Sequence, residues 1–320
     1  MRRGIGLTLT GLGAFLLVFG LLMRYWVPGQ VLKAPLNEYQ VISMTGNDIS
    51  YFSTSLLHEF TDVPATYTQT IEGDVPSGSS GTAVWGSFTA IEDSRDNTAI
   101  EFLSQRSAFG RRSGLLVNCC GAFVGSSTKV AQSGQGFVFP LGTRKQAYEI
   151  FDSTLLHPAP VTFGGTSVID GLAVYRFTER VAGERFGEQT LPGNLVGEPQ
   201  QATVTLPESL TAANTFWVDP LTGSVVDQTL SQTVALSSSA PARKLVLLGG
   251  TFTETPASVQ AAVTAARQQH PRITLIQVTI PVIGILLGLI ALATGIALVL
   301  GSPEPWVPAY DDDEVRNLAR

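Results

Sequence analysis

His58, His157 and His270 are the chain's only imidazoles, and none stands in H-E-x-x-H or another close ligand pair. A zinc centre needs ligands spaced to converge on one ion, so no metal and no cofactor is expected. No G-x-S-x-G elbow, P-loop or complete G-x-G-x-x-G follows a strand-like run, and Ser133-Gly134-Gln135-Gly136 lacks the phosphate-binding pattern. Glu92-Asp93 with Asp96 reads as a solvated turn, ahead of calcium binding or acid–base work. Glu149 and Asp152 would lie one turn apart on a helix, and paired carboxylates can work on a glycosidic bond. Spacing alone puts no sugar between them, and no enzyme is expected. The candidate ligand-binding residues are Arg106, Phe109, Arg111 and Arg112. Guanidinium forks suit phosphate or carboxylate headgroups, and the neighbouring Leu115-Leu116-Val117 would suit an acyl chain. The plainer reading is an exposed basic loop beside a buried strand. Tyr175, Phe177, Phe216 and Trp217 read as core rather than a ligand stack. Cys119 and Cys120 are adjacent, so they make no disulfide framework. Two thiols or a local turn is the plain reading; an intermolecular bridge or a redox role is the alternative.

The elements that must position these residues begin with lipid-compatible segments. Of the 320 residues 44% are hydrophobic and 14% charged, where a soluble domain carries about 25% charge. Mean hydropathy is +0.21, and the net charge of −6 excludes nucleic acid as a partner. Residues 4–23 are free of charge over about the length a helix needs to cross a bilayer. The run is longer than the apolar part of a signal peptide and ends in Met23-Arg24-Tyr25-Trp26 without an A-x-A site, which favours an uncleaved signal anchor. Residues 273–301 form the second apolar run. Gly284, Gly288, Ala291 and Gly295 fall on one face of it, suited to close packing against the first span or a partner protein. Arg2 and Arg3 place the N-terminus in the cytoplasm. The expected order is a cytoplasmic N-terminus (1–3), a first span (4–23), an extracytoplasmic domain (24–272), a second span (273–301) and an acidic cytoplasmic tail (302–320).

The outer domain reads as β-rich α+β with an antiparallel sheet. Residues 224–236 alternate over a length that suits a half-buried strand, although Gln228 and Gln232 interrupt the apolar face. Further strands are expected at 66–71, 82–90, 172–178, 202–206, 215–218 and 244–253. Asp219-Pro220-Leu221-Thr222-Gly223 forms a turn that pairs 215–218 with 224–230, because Pro presets φ and Gly permits φ > 0. Thr255-Pro256 opens a helix over 257–269 with Val259, Ala262, Val263 and Ala266 as its apolar stripe. A short helix is expected at 146–151, and loops at 77–81 and 183–197.

Two segments carry a resemblance. They are FPLGTRKQAYEIFDSTLLHPAPVTFGGTSVIDGLAVYRF from Phe139 to Phe177 and NTFWVDPLTGSVVDQ from Asn214 to Gln228. Together with the flanking spans they resemble the PorA-like family of actinobacterial envelope proteins. The shared features are Pro140-Leu141-Gly142, the Tyr148 and Asp152 pair, Gly171-Leu172 with Tyr175-Arg176-Phe177, and Trp217-Val218-Asp219-Pro220-x-Thr222-Gly223. The layout is also similar to class B scavenger receptors, which pass lipid through a cavity. A membrane β-barrel crosses lipid with strands, whereas the spans here read as helices. The resemblance implies envelope biogenesis in mycolic-acid-containing Actinobacteria, where related proteins serve mycolate glycolipid transport beside a large lipid exporter, and lipoglycan maturation. The expectation is a plasma-membrane protein whose outer domain binds or guides a lipid or glycolipid, as accessory to a membrane transporter or an envelope-synthesis protein. The alternative is a scaffold or regulatory subunit of a transporter or glycosyltransferase, with no ligand of its own.

Overall fold

The computed structural model describes residues 2–237 and 244–301; the expected acidic tail, 302–320, lies outside the described residues. The described residues form two compact units, one helical (2–31 with 274–301) and one β-rich (Leu32–Ile273). Among the described residues there are four α-helices: α1 (Arg2–Tyr25), α2 (Val27–Val31), α3 (Pro256–Thr274) and α4 (Ile280–Leu300). Arg2–Tyr25 and the continuous helical stretch Pro256–Leu300 are long and apolar enough to cross a membrane.

In the helical unit α1 and α4 pack through glycines. Gly6, Gly13 and Gly20 are the buried residues of α1, and Gly284, Gly288 and Gly295 are buried on α4 with Pro281. The seven-residue steps keep one seam facing the partner helix, as in a left-handed pair. A Cβ on Gly13 would sit 2.5 Å from Leu292 N and 2.8 Å from Gly288 O; one on Gly295 would sit 2.5 Å from Thr10 N. The expected small-residue face of α4 is therefore occupied by α1, with Ala291 at its half-buried margin. Pro281 has no N–H to give the carbonyl four residues back. Arg24 Nη1 donates to that carbonyl, Gln277 O, at 2.7 Å within the π-helical turn Leu275–Thr279.

The β unit contains β1 (Tyr39–Ser53), β2 (His58–Gly73), β3 (Thr82–Asp93), β4 (Thr98–Gly110), β5 (Leu116–Val117), β6 (Phe123–Val124) and β7 (Tyr148–Asp152). Then follow β8 (His157–Ile169), β9 (Leu172–Glu179), β10 (Val181–Pro192), β11 (Thr203–Ala212), β12 (Thr215–Val218), β13 (Val225–Ser237) and β14 (Lys244–Glu254). All pair antiparallel in the order β5-β4-β3-β2-β1-β14-β13-β12-β9-β8-β7, with β10 on β11, β11 on β13 and β6 on β4. The two ends of this curled sheet meet through residues 134–136. Leu116 N donates to Gly134 O (2.9 Å) and Gly136 N to Gly114 O (3.0 Å) on one side. On the other, Gln135 N donates to Glu149 O (2.6 Å) and Phe151 N to Gln135 O (2.9 Å). Closure at this seam turns the sheet into a barrel.

The turn after β12 works as its residues dictate. Asp219, fully buried, accepts from Leu221 N, Thr222 N and Thr222 Oγ1 (2.6 Å). Gly223 adopts φ +76°, and a Cβ there would collide with Phe139 O. His270 Nε2 lies 2.9 Å from Asp219 Oδ2, tying α3 to the turn. Along α3 the stripe Val259, Ala262, Val263 and Ala266 packs on Leu172, Val174, Trp217 and Val226.

Three expectations are corrected. The helix over 146–151 is strand β7, paired from Tyr148↔Val161 to Asp152↔His157, because Tyr, Ile and Phe at this edge fit a pleated surface. Glu149 and Asp152 are consequently three apart on a strand and point to opposite faces. The loop over 183–197 is strand β10 followed by a 3-10 turn at Gly193–Val196. Its glycines, which read as breakers, sit at bulges between Ala182/Glu184 and Arg185/Gly187. Of the plain readings of Cys119 and Cys120 the local turn holds and the free thiols do not: the two are bonded to each other in a turn where Cys120 takes φ +62°.

Candidate functional site

Strand register decides which side chains face the barrel interior. Ile42, Gln69, Thr89 and Leu103 are successive cross-strand partners on β1 to β4, as are Gln40, Ile71, Ser87 and Gln105. On the opposite wall Phe216 of β12 sits across from Gln228 of β13 and Phe177 of β9. Because side chains alternate along each strand, all of these point to one side of the sheet, the barrel interior.

That space is two chambers of about 410 and 510 Å³ with a shared wall of Gln69, Gln105, Ile150, Phe151, Ser153, Phe216 and Gln228. Each lies within the roughly 300–1,000 Å³ usual for small-ligand sites. The first chamber is bounded by Lys33, Ala34 and Pro35, by Trp85, Phe137 and Phe139, and by the small-residue face Ala261, Ala262, Ala265 and Ala266 of α3. Its lining runs from Lys33, near the start of the β-rich unit, to Gln269 of α3. The second is lined by Ile91, Leu103, Leu230, Val234 and Leu248 and also by Glu101, Asp152, Glu179 and Glu208.

Electrostatics separate the two. No Lys, Arg or His is among the residues lining the second chamber. Burial pushes the Glu179 carboxyl up to about 7, although Asn214 Nδ2 donates to it at 2.7 Å. Burial likewise raises Glu101, Asp152 and Glu208 above the ordinary carboxylate range, with the backbone bonds from Thr154 N and Leu155 N opposing it at Asp152. Gln228, 8% exposed, has no hydrogen-bond partner for its side chain among the described residues.

The sequence-derived site residues are placed elsewhere. Phe109 has no exposed surface and packs edge-on against Trp85, ring centroids 4.8 Å apart. Arg106 Nη2 is 2.5 Å from Asp74 Oδ2 and holds that carboxyl below its ordinary range, while Arg106 Nε donates to Cys120 O. Arg111 Nε donates to Ala34 O at 2.7 Å beside the first chamber, and Arg112 O accepts from Leu141 N. These groups staple loops and do not converge on one point. In the acidic cluster, Asp93 is buried and bound by Arg95 Nη2 (2.6 Å) and Tyr51 Oη (3.2 Å); the Arg95 bond holds its pKa down. Of the aromatic set, Phe177 is core, Trp217 packs against α3, and Phe216 forms chamber wall. The glutamines of the shared wall were not singled out as a site. Their signal is polar residues at inward positions of alternating strands, visible at Gln228 and Gln232.

No curated protein matches the sequence. The family described as Porin PorA matches residues 5–297, most of the chain. The closed antiparallel sheet with apolar helices at both ends is thus the fold of an envelope-associated chain, and the protein belongs to the Porin PorA family.

Proposed function

We propose that this is a non-enzymatic protein of cell-envelope biogenesis whose barrel interior binds or guides a lipid or glycolipid, as accessory to a membrane transporter or envelope-synthesis protein. In this reading α1 and α4 span the plasma membrane, both termini are cytoplasmic and the β unit is extracytoplasmic. The observation that carries it is the pair of adjoining chambers, lined by apolar and polar groups in nearly equal measure. A purely structural barrel of this size would fill its centre with side chains to crystal-like density. The membership in an envelope family and the two apolar helices support the same reading. An ion-conducting barrel is a poorer fit, because the outward positions of β2 are Thr66, Thr68, Thr70 and Glu72 where lipid contact needs an apolar band. The glycine face of α4 is occupied by α1, so nothing on the helices favours a ligand-free scaffold.

The test is a cavity block in the full chain purified from its own membranes. Leu103→Arg puts a bulky charge into the second chamber. The wild type is expected to carry bound lipid and the folded variant to have lost it. A folded variant that retains the lipid, or a wild type that never held one, would overturn the proposal.

A further inference from the structure

The bond between Cys119 and Cys120 does little for global stability. A disulfide stabilises mainly by constraining the unfolded chain, and a bridge between neighbours closes the shortest loop available. What it fixes is local. Cys120 sits at φ +62°, in the left-handed region that residues other than glycine disfavour. The bridge pins both residues there, whereas two free thiols let the backbone return to negative φ. Cys120 is exposed and Cys119 half-buried, so a reductant can reach the pair. Exposed bridges are the ones that thiol exchange opens readily.

The pair is connected to the seam that closes the barrel. Gln132 N donates to Asn118 Oδ1 at 2.7 Å, and Asn118 Nδ2 donates to Gln132 O at 3.0 Å. Asn118 thus ties the cysteine turn to a residue two positions before Gly134, where the closing strap 134–136 begins. Cys120 O accepts from Arg106 Nε at 3.1 Å, and the same guanidinium reaches Asp74 Oδ2 and Ser77 Oγ. Gln132 Nε2 donates to Arg106 O and Phe123 O, which holds the loop against β4 and β6. Its Oε1, in a residue only 1% exposed, has no partner among the described residues. A buried acceptor left unpaired costs free energy, which a shifted loop can recover. Just past the strap, Phe137, Val138 and Phe139 line the first chamber.

We propose that Cys119 and Cys120 form a redox modification site: a dithiol reductant opens the bridge, and its opening loosens the strap that closes the barrel. A thiolate of the reductant attacks Cys120 Sγ, the S–S bond breaks, and Cys119 departs as a thiolate that takes up a proton. The reductant's second thiol then displaces Cys120 from the mixed disulfide, and Cys120 is protonated in turn. The protein gains two electrons and two protons, and the dithiol ends as a disulfide. Cys120 then leaves the left-handed region, which withdraws its carbonyl from Arg106 and shifts Asn118 against Gln132. This stands apart from the lipid reading, because it concerns the covalent state of the loop and the order of the seam, whatever fills the chambers.

The experiment uses the full chain in detergent, purified without reductant. It is treated with dithiothreitol, alkylated and weighed, and its hydrogen exchange is followed by mass spectrometry. Both cysteines are expected to be alkylated after reduction and neither before it. Peptides covering 114–136 should exchange about tenfold faster once reduced, the weight of one residue's preference against the left-handed region. The β10–β11 hairpin is the control and should not change. Cys119→Ser with Cys120→Ser should exchange at the reduced rate with or without dithiothreitol. Cys119→Ser with Cys120→Gly should recover most of the protection, because glycine takes a positive φ freely. A purified chain with free thiols, a bridge that dithiothreitol leaves closed in the folded protein, or a reduced chain whose strap exchanges at the oxidised rate would each overturn the proposal. So would equal acceleration in the control hairpin, or a glycine variant no better protected than the serine one.

Discussion

The helical unit and the β unit treat interior space in opposite ways. Between α1 and α4 the backbones approach so closely that even a methyl group has no room at Gly6, Gly13 or Gly295. If the pair spans a bilayer as proposed, lipid gives little hydrophobic drive to bring the helices together, and contact between backbones supplies it. The barrel buries many large side chains, yet keeps open volume lined by amides and carboxyls at its centre. Close packing would have been available to it by exchanging Ser87 or Gln228 for aliphatic residues. The difference marks one region as a fastening and the other as a container. The same small-to-large change should therefore have opposite signs in the two.

The largest effect is expected at the fastening. Gly13→Val drives a branched side chain into Leu292 N and Gly288 O. It should lower the stability of the helix pair by about 3 kcal/mol, at the upper end for overpacking. Thermal unfolding of the full chain in detergent, followed by circular dichroism, would show it; an unchanged midpoint would mean that the helices do not pack through this seam.

A middling effect is expected from acids buried in the β unit. Burial raises both Glu179 and Glu254 from 4.5 to about 7, and Ser258 Oγ donates to Glu254 Oε1 at 2.7 Å. The folded state then holds more protons than the unfolded chain between those values. Stability is thus fully present below about pH 4.5 and is lost as pH rises through about 7. The double change Glu179→Gln and Glu254→Gln should flatten that decline and stabilise the protein at pH 8 by roughly 1–3 kcal/mol, with little change at pH 4. Denaturation midpoints at the two pH values check it; equal decline in both proteins would contradict it.

The smallest effect has the sign that separates container from fastening. Ser87 is buried on the wall of the second chamber, opposite Gln105 and Ile71. Ser87→Val adds apolar atoms where there is room, and should raise stability by about 1 kcal/mol while weakening ligand binding. A loss of stability comparable to that of Gly13→Val would show the barrel to be packed as tightly as the helices.

Much of this was legible in local pattern. The apolar runs at 4–23 and 273–301, the alternation over 224–236, the Asp219–Gly223 turn and the stripe from Val259 to Ala266 each report a local cause, and each has its counterpart in the fold. What escaped depends on distant partners. β7 is a strand because β8 lies beside it, and the glycines of β10 serve bulges set by β11. Closure through Gln135 joins segments whose meeting no local pattern encodes. Arg106 and Arg111 looked like free forks because their acceptors, Asp74 and Ala34, lie 32 and 77 residues away in sequence. The cavity left one trace, Gln228 and Gln232 on an otherwise apolar strand face. Read alone, they suggested partial exposure to solvent rather than an enclosed polar wall.

The most direct measurement is native mass spectrometry with lipid extraction on the full-length protein, purified gently from its own membranes. A stoichiometric lipid or glycolipid is the predicted result. A folded protein whose chambers are empty, accompanied instead by a specific membrane partner, would contradict the account and turn the barrel into a scaffold.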